Sequence, residues 1–325
     1  MRTIALEEHY TTPAFLDGAG RAFRDGLLRS GGARAAKLFE QLNDLGEGRL
    51  AAMDAAGVDM QVLSLNYPGT EQSEADDAVA IAREANDALA DAVRKHPARL
   101  AALATLPTAA PDKAAAELER RVKDGFKGAI INGHNRGRYL DDKFYWPILE
   151  CAEALGVPIY LHPALPPKAV MEASYGGFTP AETFMIAGPG WGWHIETGLH
   201  VVRMVLRGVF DRYPKLQIVV GHMGEGLPFM LPRLNAMSGG LSASGLKRPL
   251  GDYLRQNLHY TFGGFNFTAT FQNLLAEVGI EHIMFSADYP YGSMAEARKF
   301  LEQLPVSPAD RERIAHTNAE ALFRV

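Results

Sequence analysis

Four short segments carry residue types that hold metals or move protons. They are Glu7-Glu8-His9, Leu161-His162-Pro163, Gly221-His222-Met223-Gly224-Glu225 and Phe285-Ser286-Ala287-Asp288. Neutral imidazole and ionised carboxylate are common protein ligands of divalent ions. Glu7, His9, His162 and Asp288 offer one ion two nitrogens and two oxygens. Taken singly, each reads as a hydrogen-bonded core residue. Converging from three strand ends, the four read as a metal site. His222 and Glu225 lie three apart, which suits an imidazole and the carboxylate that orients it. Gly221 and Gly224 are expected to permit the tight turn this needs. The simpler role for Glu225 is a cap on a helix starting near Gly226.

Such residues need a scaffold that gathers strand ends. Short apolar runs alternate with helical patterns along the whole chain. The runs Thr3–Leu6, Met60–Leu65, Leu100–Leu106, Gly128–Ile131, Pro158–Leu161, Leu216–Val220, Leu258–Thr261 and His282–Phe285 read as strands buried on both faces. Helices are expected over Glu74–His96, Asp112–Lys123, Asp142–Leu155, Ile195–Tyr213, Phe267–Val278 and Met294–Leu304. Eight strands alternating with helices define a (β/α)8 TIM barrel, here one domain over residues 1–325. Barrel enzymes build their sites at the carboxyl ends of the strands. There, side-chain alternation puts Glu7 and His9 on one face and Glu8 on the other. Thr11–Gly48 and Pro163–Gly192 break the rhythm after strands one and five, and read as lids or oligomer contacts. Strand four ends in Asn132, with no lysine that could be carbamylated to bridge two ions, so one metal is expected.

The formal charge of −5, without a long basic run, argues against nucleic acid as a partner. No apolar run approaches the ~20 residues of a membrane span, and the amino terminus is too polar and short for a signal peptide. Cys151 is the only cysteine, which suits a reducing, cytoplasmic setting.

The segments ALEEH, MDAAGVDMQVLSLN, LHP, GVFDRYPKL, GHMGEGLPFM and FSADYP resemble the amidohydrolase superfamily. The similarity is to its nonoxidative aromatic acid decarboxylases, the γ-resorcylate and 2,3-dihydroxybenzoate type. It runs nearly the whole length, and GHMGEGLPFM is its most specific part. It implies metal ligation by Glu7, His9, His162 and Asp288, with His222 as the active-site histidine and Glu225 orienting it. Glu7-x-His9 is the decarboxylase form of a first-strand motif that is His-x-His in many amidohydrolases. Two positions depart from the resorcylate pattern. Ala164 stands where a basic residue is usual, and Tyr289 where Trp is usual.

On this resemblance the expected activity is metal-dependent decarboxylation of an ortho-hydroxylated aromatic acid, a reaction open to reversal. Asp288 would carry the proton to the ring, and His222 would polarise or deprotonate the phenol. The ion would be Zn2+ or Mn2+, with no organic cofactor. The alternative is a hydrolase of an amide, lactone or related bond, since fold and ligands are shared. Expected substrate contacts are Phe23, Asn66, Tyr67, Asn132, Trp191, His194 and Tyr289, and Arg233 from a neighbouring subunit of a homodimer or homotetramer. His134 is equally a surface or a pocket residue. His96, His259, His282 and His316 read as solvated or capping residues.

Overall fold

A computed structural model describes residues 1–238 and 245–325. Its strands are β1 (Ile4–Tyr10), β2 (Met60–Leu65), β3 (Leu100–Ala102), β4 (Ala104–Thr105), β5 (Ala129–Asn132), β6 (Ile159–His162), β7 (Ile218–Val220), β8 (Leu258–Thr261) and β9 (Ile283–Met284). All pair in parallel with their sequence neighbours. β3 and β4 make a single stave. Leu103 between them keeps its place by donating its N–H to the Leu63 carbonyl at 2.9 Å, and Ala104 N–H donates to Gly128 at 2.8 Å. The barrel closes where Leu6 bridges Ser286 and donates its N–H to Phe285 at 3.1 Å. The eight expected strands are thus the eight staves of a closed parallel barrel.

Alternate strand residues fill the interior. Ile4, Leu6, Val62, Leu103, Ile130, Tyr160, Val219 and Met284 pack there as one cluster. The intervening residues, Ala5, Leu63, Ile131, Leu161 and Val220 among them, meet the helices in a larger one. The expected strand Thr3–Leu6 continues to Tyr10, so the first chemical segment lies on the strand itself.

The helices follow their apolar spacing. Ala75–Lys95 buries Ala78, Ala82, Ala85 and Leu89, with Asp76 and Asp77 in its first turn and Arg94 and Lys95 in its last. Those charges complement the helix dipole at both ends. The expected helix Ile195–Tyr213 begins earlier and divides at Gly208 into Gly192–Leu206 and Val209–Arg212. The two segments expected as lids are largely helical. The first holds Pro13–Asp17 and Arg21–Asn43, the second Lys168–Ser174 and Pro180–Ala187. Among the described residues, no helix is long and apolar enough to cross a membrane.

Candidate active site

The mouth of the barrel is built on a break in β1. Between Ala5 and Glu8 the register with β2 shifts by one residue, and Glu7 adopts φ 64°. Strict alternation from the inward-facing Ile4 and Leu6 would turn Glu7 and His9 outward. The bulge inserts one residue and reverses the phase. Glu7 and His9 now face the mouth, while Glu8 points away and accepts N–H bonds from Ala287 at 2.8 Å and Tyr289 at 3.2 Å. The sequence expectation paired Glu7 with His9 correctly, but alternation alone does not bring them inside.

β6 ends in His162, whose Nδ1–H donates to the Pro163 carbonyl at 2.8 Å. That fixes the tautomer and leaves the Nε2 lone pair 3.9 Å from Glu7 Oε1. Burial, with His9 and His222 adjacent, holds the His162 pKa well below the usual imidazole range, so the ring is neutral. His9 Nε2 lies 3.2 Å from Asp288 Oδ1, and the His9 and His162 rings meet edge to face at 4.9 Å. The structure therefore brings together Glu7, His9, His162 and Asp288. Two buried atoms of this set, Glu7 Oε1 and His9 Nδ1, have no hydrogen-bond partner among the described residues. Metal bonds of about 2.0–2.3 Å put adjacent donors about 3–4 Å apart, as in the His9 Nε2–Asp288 Oδ1 and His162 Nε2–Glu7 Oε1 pairs. The residues fit a divalent ion. A fully buried Glu7 carboxyl, raised above its usual range by burial and by Asp288 against the opposing pull of His222, would be stabilised by one.

β7 delivers the second group. The turn that follows it runs through consecutive left-handed backbone angles: His222 50°, Met223 56°, Gly224 92°, Glu225 54° and Gly226 77°. This turn folds Glu225 back onto His222. Its Oε1 accepts from His222 Nδ1 at 2.6 Å and its Oε2 from His194 Nδ1 at 2.6 Å. Gly221 itself is not left-handed. It serves by lacking a side chain, since a Cβ there would lie 2.5 Å from Glu7 Oε1. Donor atoms of His194, His222 and Glu225 lie within 4.8 Å of one another, as three ligands of one ion also would. The 2.6 Å contacts are hydrogen bonds, however, and leave no space for an ion between their atoms. Glu225 is held at about 2: burial opposes this, but the His222 and His194 rings outweigh it. Burial disfavours the charged form of His222, but the Glu225 and Glu7 carboxylates outweigh it and raise the ring to about 10.

An aromatic wall runs inward from the first helical insertion. Phe23 meets Tyr67 at 5.7 Å, Tyr67 meets Trp193 at 6.1 Å, and Trp193 meets His162 at 6.3 Å. Phe265 closes the far side, 5.4 Å from His222. Several expected contacts lie elsewhere. Trp191 is 59% exposed, and Trp193 takes the inner place because the helix beginning at Gly192 turns it inward. Tyr289 is buried against Arg49, 5.1 Å from its guanidinium, while Tyr291 approaches His9 at 5.8 Å. Tyr291 O–H donates to Asn66 Oδ1 at 2.7 Å. Asn132 is buried with its backbone N–H on Glu71 Oε1 at 3.1 Å. His194 lies behind Glu225, its Nε2 2.9 Å from the Pro189 carbonyl oxygen. His134 is buried, its Nε2 3.0 Å from the Leu165 carbonyl oxygen. Arg233 is exposed on the helix Leu227–Ser238.

Sequence reading missed Arg49, Tyr160 and Thr261. Arg49 is fully buried and donates to the His9 carbonyl at 2.7 Å, tying the first insertion to β1. Tyr160 shares a strand face with His162 two residues on, which is a signal the sequence does contain.

A parallel barrel with this donor set at its carboxyl-terminal mouth defines a metal-dependent amidohydrolase-type scaffold. The family model described as amidohydrolase matches residues 33–325, and the chain belongs to that family. The γ-resorcylate decarboxylase of Rhodococcus jostii is 38% identical, covering 99% of this chain and 98% of that one. A 2,6-dihydroxybenzoate decarboxylase solved with 2,6-dihydroxybenzoate superposes with a TM-score of 0.90 at 35% identity, covering 100% of both chains. The 5-carboxyvanillate decarboxylase of Novosphingobium aromaticivorans, solved with manganese and 4-hydroxy-3-methoxy-5-nitrobenzoic acid, gives a TM-score of 0.91 at 34% identity. It covers 100% of this chain and 96% of that one.

Proposed function

We propose that this chain is a metal-dependent, nonoxidative carboxy-lyase that converts an ortho-hydroxylated aromatic acid to CO2 and a phenol, in a reaction open to reversal. The observation that carries the reading is the meeting of Glu7, His9, His162 and Asp288 with the His222–Glu225 pair at one barrel mouth. Full-length similarity to aromatic acid decarboxylases supports it. Glu7, His9, His162 and Asp288 would hold one divalent ion. Mn2+ is the first candidate, because solved relatives hold manganese, and Zn2+ the second. When bound, the ion would supply positive charge that stabilises the anionic substrate and the charge developing on its ring.

The chain's own residues do the rest. The aromatic wall of Phe23, Tyr67 and Trp193 holds the ring and excludes water. His222, kept cationic by Glu225, donates a hydrogen bond from Nε2 to the phenolic oxygen. Of its two expected roles, polarising the phenol is the one this charge state favours. Asp288, with its side chain 18% exposed, takes up a proton from solvent and passes it to the carboxyl-bearing carbon. The bond to the carboxylate then breaks, its electron pair restores the aromatic ring, and CO2 departs. No organic cofactor enters this scheme.

The working form is a homodimer or homotetramer. Ile195 and Leu199 on the helix Gly192–Leu206 and Phe229, Met230 and Met237 on the helix Leu227–Ser238 are exposed apolar residues, and Arg233 lies on the second of these helices. A second copy packed there would bring Arg233 toward its partner's substrate. The single cysteine, Cys151, fits a cytoplasmic setting.

The test is a screen of hydroxybenzoates for CO2 release by the manganese-loaded protein. CO2 and the matching phenol in equal amounts are expected. Cleavage of amides or lactones with no CO2 from any hydroxybenzoate would replace this reading with the hydrolase.

A further inference from the structure

Beneath Glu7 lie two hydroxyls that the chemistry above does not use. Tyr160 on β6 and Thr261 on β8 are both buried, and Tyr160 sits among the apolar side chains that fill the barrel. A phenol placed there needs a polar partner. Tyr160 O–H donates to Glu7 Oε2 at 2.6 Å. Thr261 Oγ1 lies 3.0 Å from the same oxygen and 2.7 Å from the Tyr160 hydroxyl.

The two carboxylate oxygens are therefore unequal. Oε2 faces both hydroxyls, and Oε1 has no hydrogen-bond partner among the described residues. Bare backbone also walls the group. A Cβ on Gly221 would stand 2.5 Å from Oε1, and one on Gly263 would stand 2.6 Å from Oε2. Oε1 is left beside His162 Nε2 at 3.9 Å and His222 Nδ1 at 3.6 Å.

We infer that Tyr160 and Thr261 form a hydroxyl clamp that occupies Glu7 Oε2 and so presents Glu7 to the metal through Oε1 alone. The inference rests on the metal reading above. Donation to Oε2 favours the ionised carboxylate in a site where burial disfavours it, and it resists the rotation that would let both oxygens chelate. Neither hydroxyl touches substrate in this scheme. Both are positioning residues, and their effect is read in metal binding rather than in turnover.

Calorimetric Mn2+ titration of the metal-free wild type, Tyr160→Phe, Thr261→Val and Thr261→Ser tests this, with thermal melting as the check on folding. Tyr160→Phe should bind Mn2+ more weakly, on the order of 10–100-fold, as outer-shell losses do. Thr261→Val should weaken it in the same direction, and Thr261→Ser, which keeps the hydroxyl, should restore it. If Tyr160→Phe does not fold, the Val and Ser pair decides alone. A crystal structure of a weakened variant with Mn2+ should show both Glu7 oxygens turned to the ion. Wild-type affinity in both Tyr160→Phe and Thr261→Val overturns the clamp and leaves the metal site standing. A wild type that takes up no Mn2+ overturns the metal site itself, and the clamp with it.

Discussion

Glu225 sits between two imidazoles, each donating to one of its oxygens at 2.6 Å. A carboxylate that only capped the helix starting at Leu227 would not be engaged in this way. Glu225→Gln keeps the shape but removes the charge that holds His222 protonated. Metal content and fold should persist while turnover falls on the order of 10²-fold or more, as for general acid–base groups. A cap alone would cost about a kcal/mol of stability and leave turnover near wild type. Steady-state rates and melting of one purified variant separate the two. Glu71 invites a different test. It is fully buried, and burial pushes its carboxyl from 4.5 up to about 8. The folded chain therefore keeps a proton that the unfolded chain releases above its ordinary pKa. Stability from this group is complete below pH 4.5 and is lost as pH rises through about 8. Glu71→Gln mimics the protonated acid. Its melting temperature should match wild type at low pH and exceed it above the folded-state pKa. Parallel pH dependences for the two proteins would remove Glu71 from this role.

The elements that carry these groups are bent at the positions where they carry them. Glu7, His222, Glu225 and Asp288 all have left-handed backbone angles, 64°, 50°, 54° and 59°. For residues with side chains, each such angle costs about 1 kcal/mol or more, and it persists only where the surroundings impose it. This explains what the sequence revealed and what it concealed. Apolar runs announced the staves because both faces of a barrel strand are buried, and the donor residues announced themselves by type at the strand ends. Bulge and turn are set by tertiary contacts instead. Nothing in ALEEHY marks the extra residue that turns Glu7 and His9 inward. Likewise, a one-turn difference in where a helix begins decides that Trp193, not Trp191, faces His162. Tyr289 and Tyr291 lie two apart, and the path of the chain after Asp288 gives the site to the second. Gly221 tests the close packing of these bent segments. Gly221→Ala puts a Cβ 2.5 Å from Glu7 Oε1. The barrel should still form by circular dichroism, while elemental analysis shows metal lost. Full metal occupancy in that variant would mean the segment relaxes away without disturbing Glu7.

At the scale of the whole molecule, the helices Gly192–Leu206 and Leu227–Ser238 each carry exposed apolar residues, with Phe229 77% exposed. Exposed apolar patches of this kind mark contact surfaces. Light scattering should give a multiple of the 35.4 kDa chain mass. Phe229→Glu combined with Leu199→Glu should reduce the particle to a monomer with unchanged secondary structure. A wild-type protein that is already monomeric at micromolar concentration would end any part for Arg233 across an interface. The tryptophans report on these events separately. The chain has three. Trp146 lies under the Arg212 guanidinium at 4.2 Å, Trp191 is largely in solvent, and Trp193 stands against His162. Intrinsic fluorescence is therefore a sum of three differently placed emitters. A ring entering the mouth, or a paramagnetic ion beside His162, quenches Trp193 and leaves the solvent-exposed emission of Trp191 unchanged. The protein thus carries its own optical probe of site occupancy, readable without labels and without turnover.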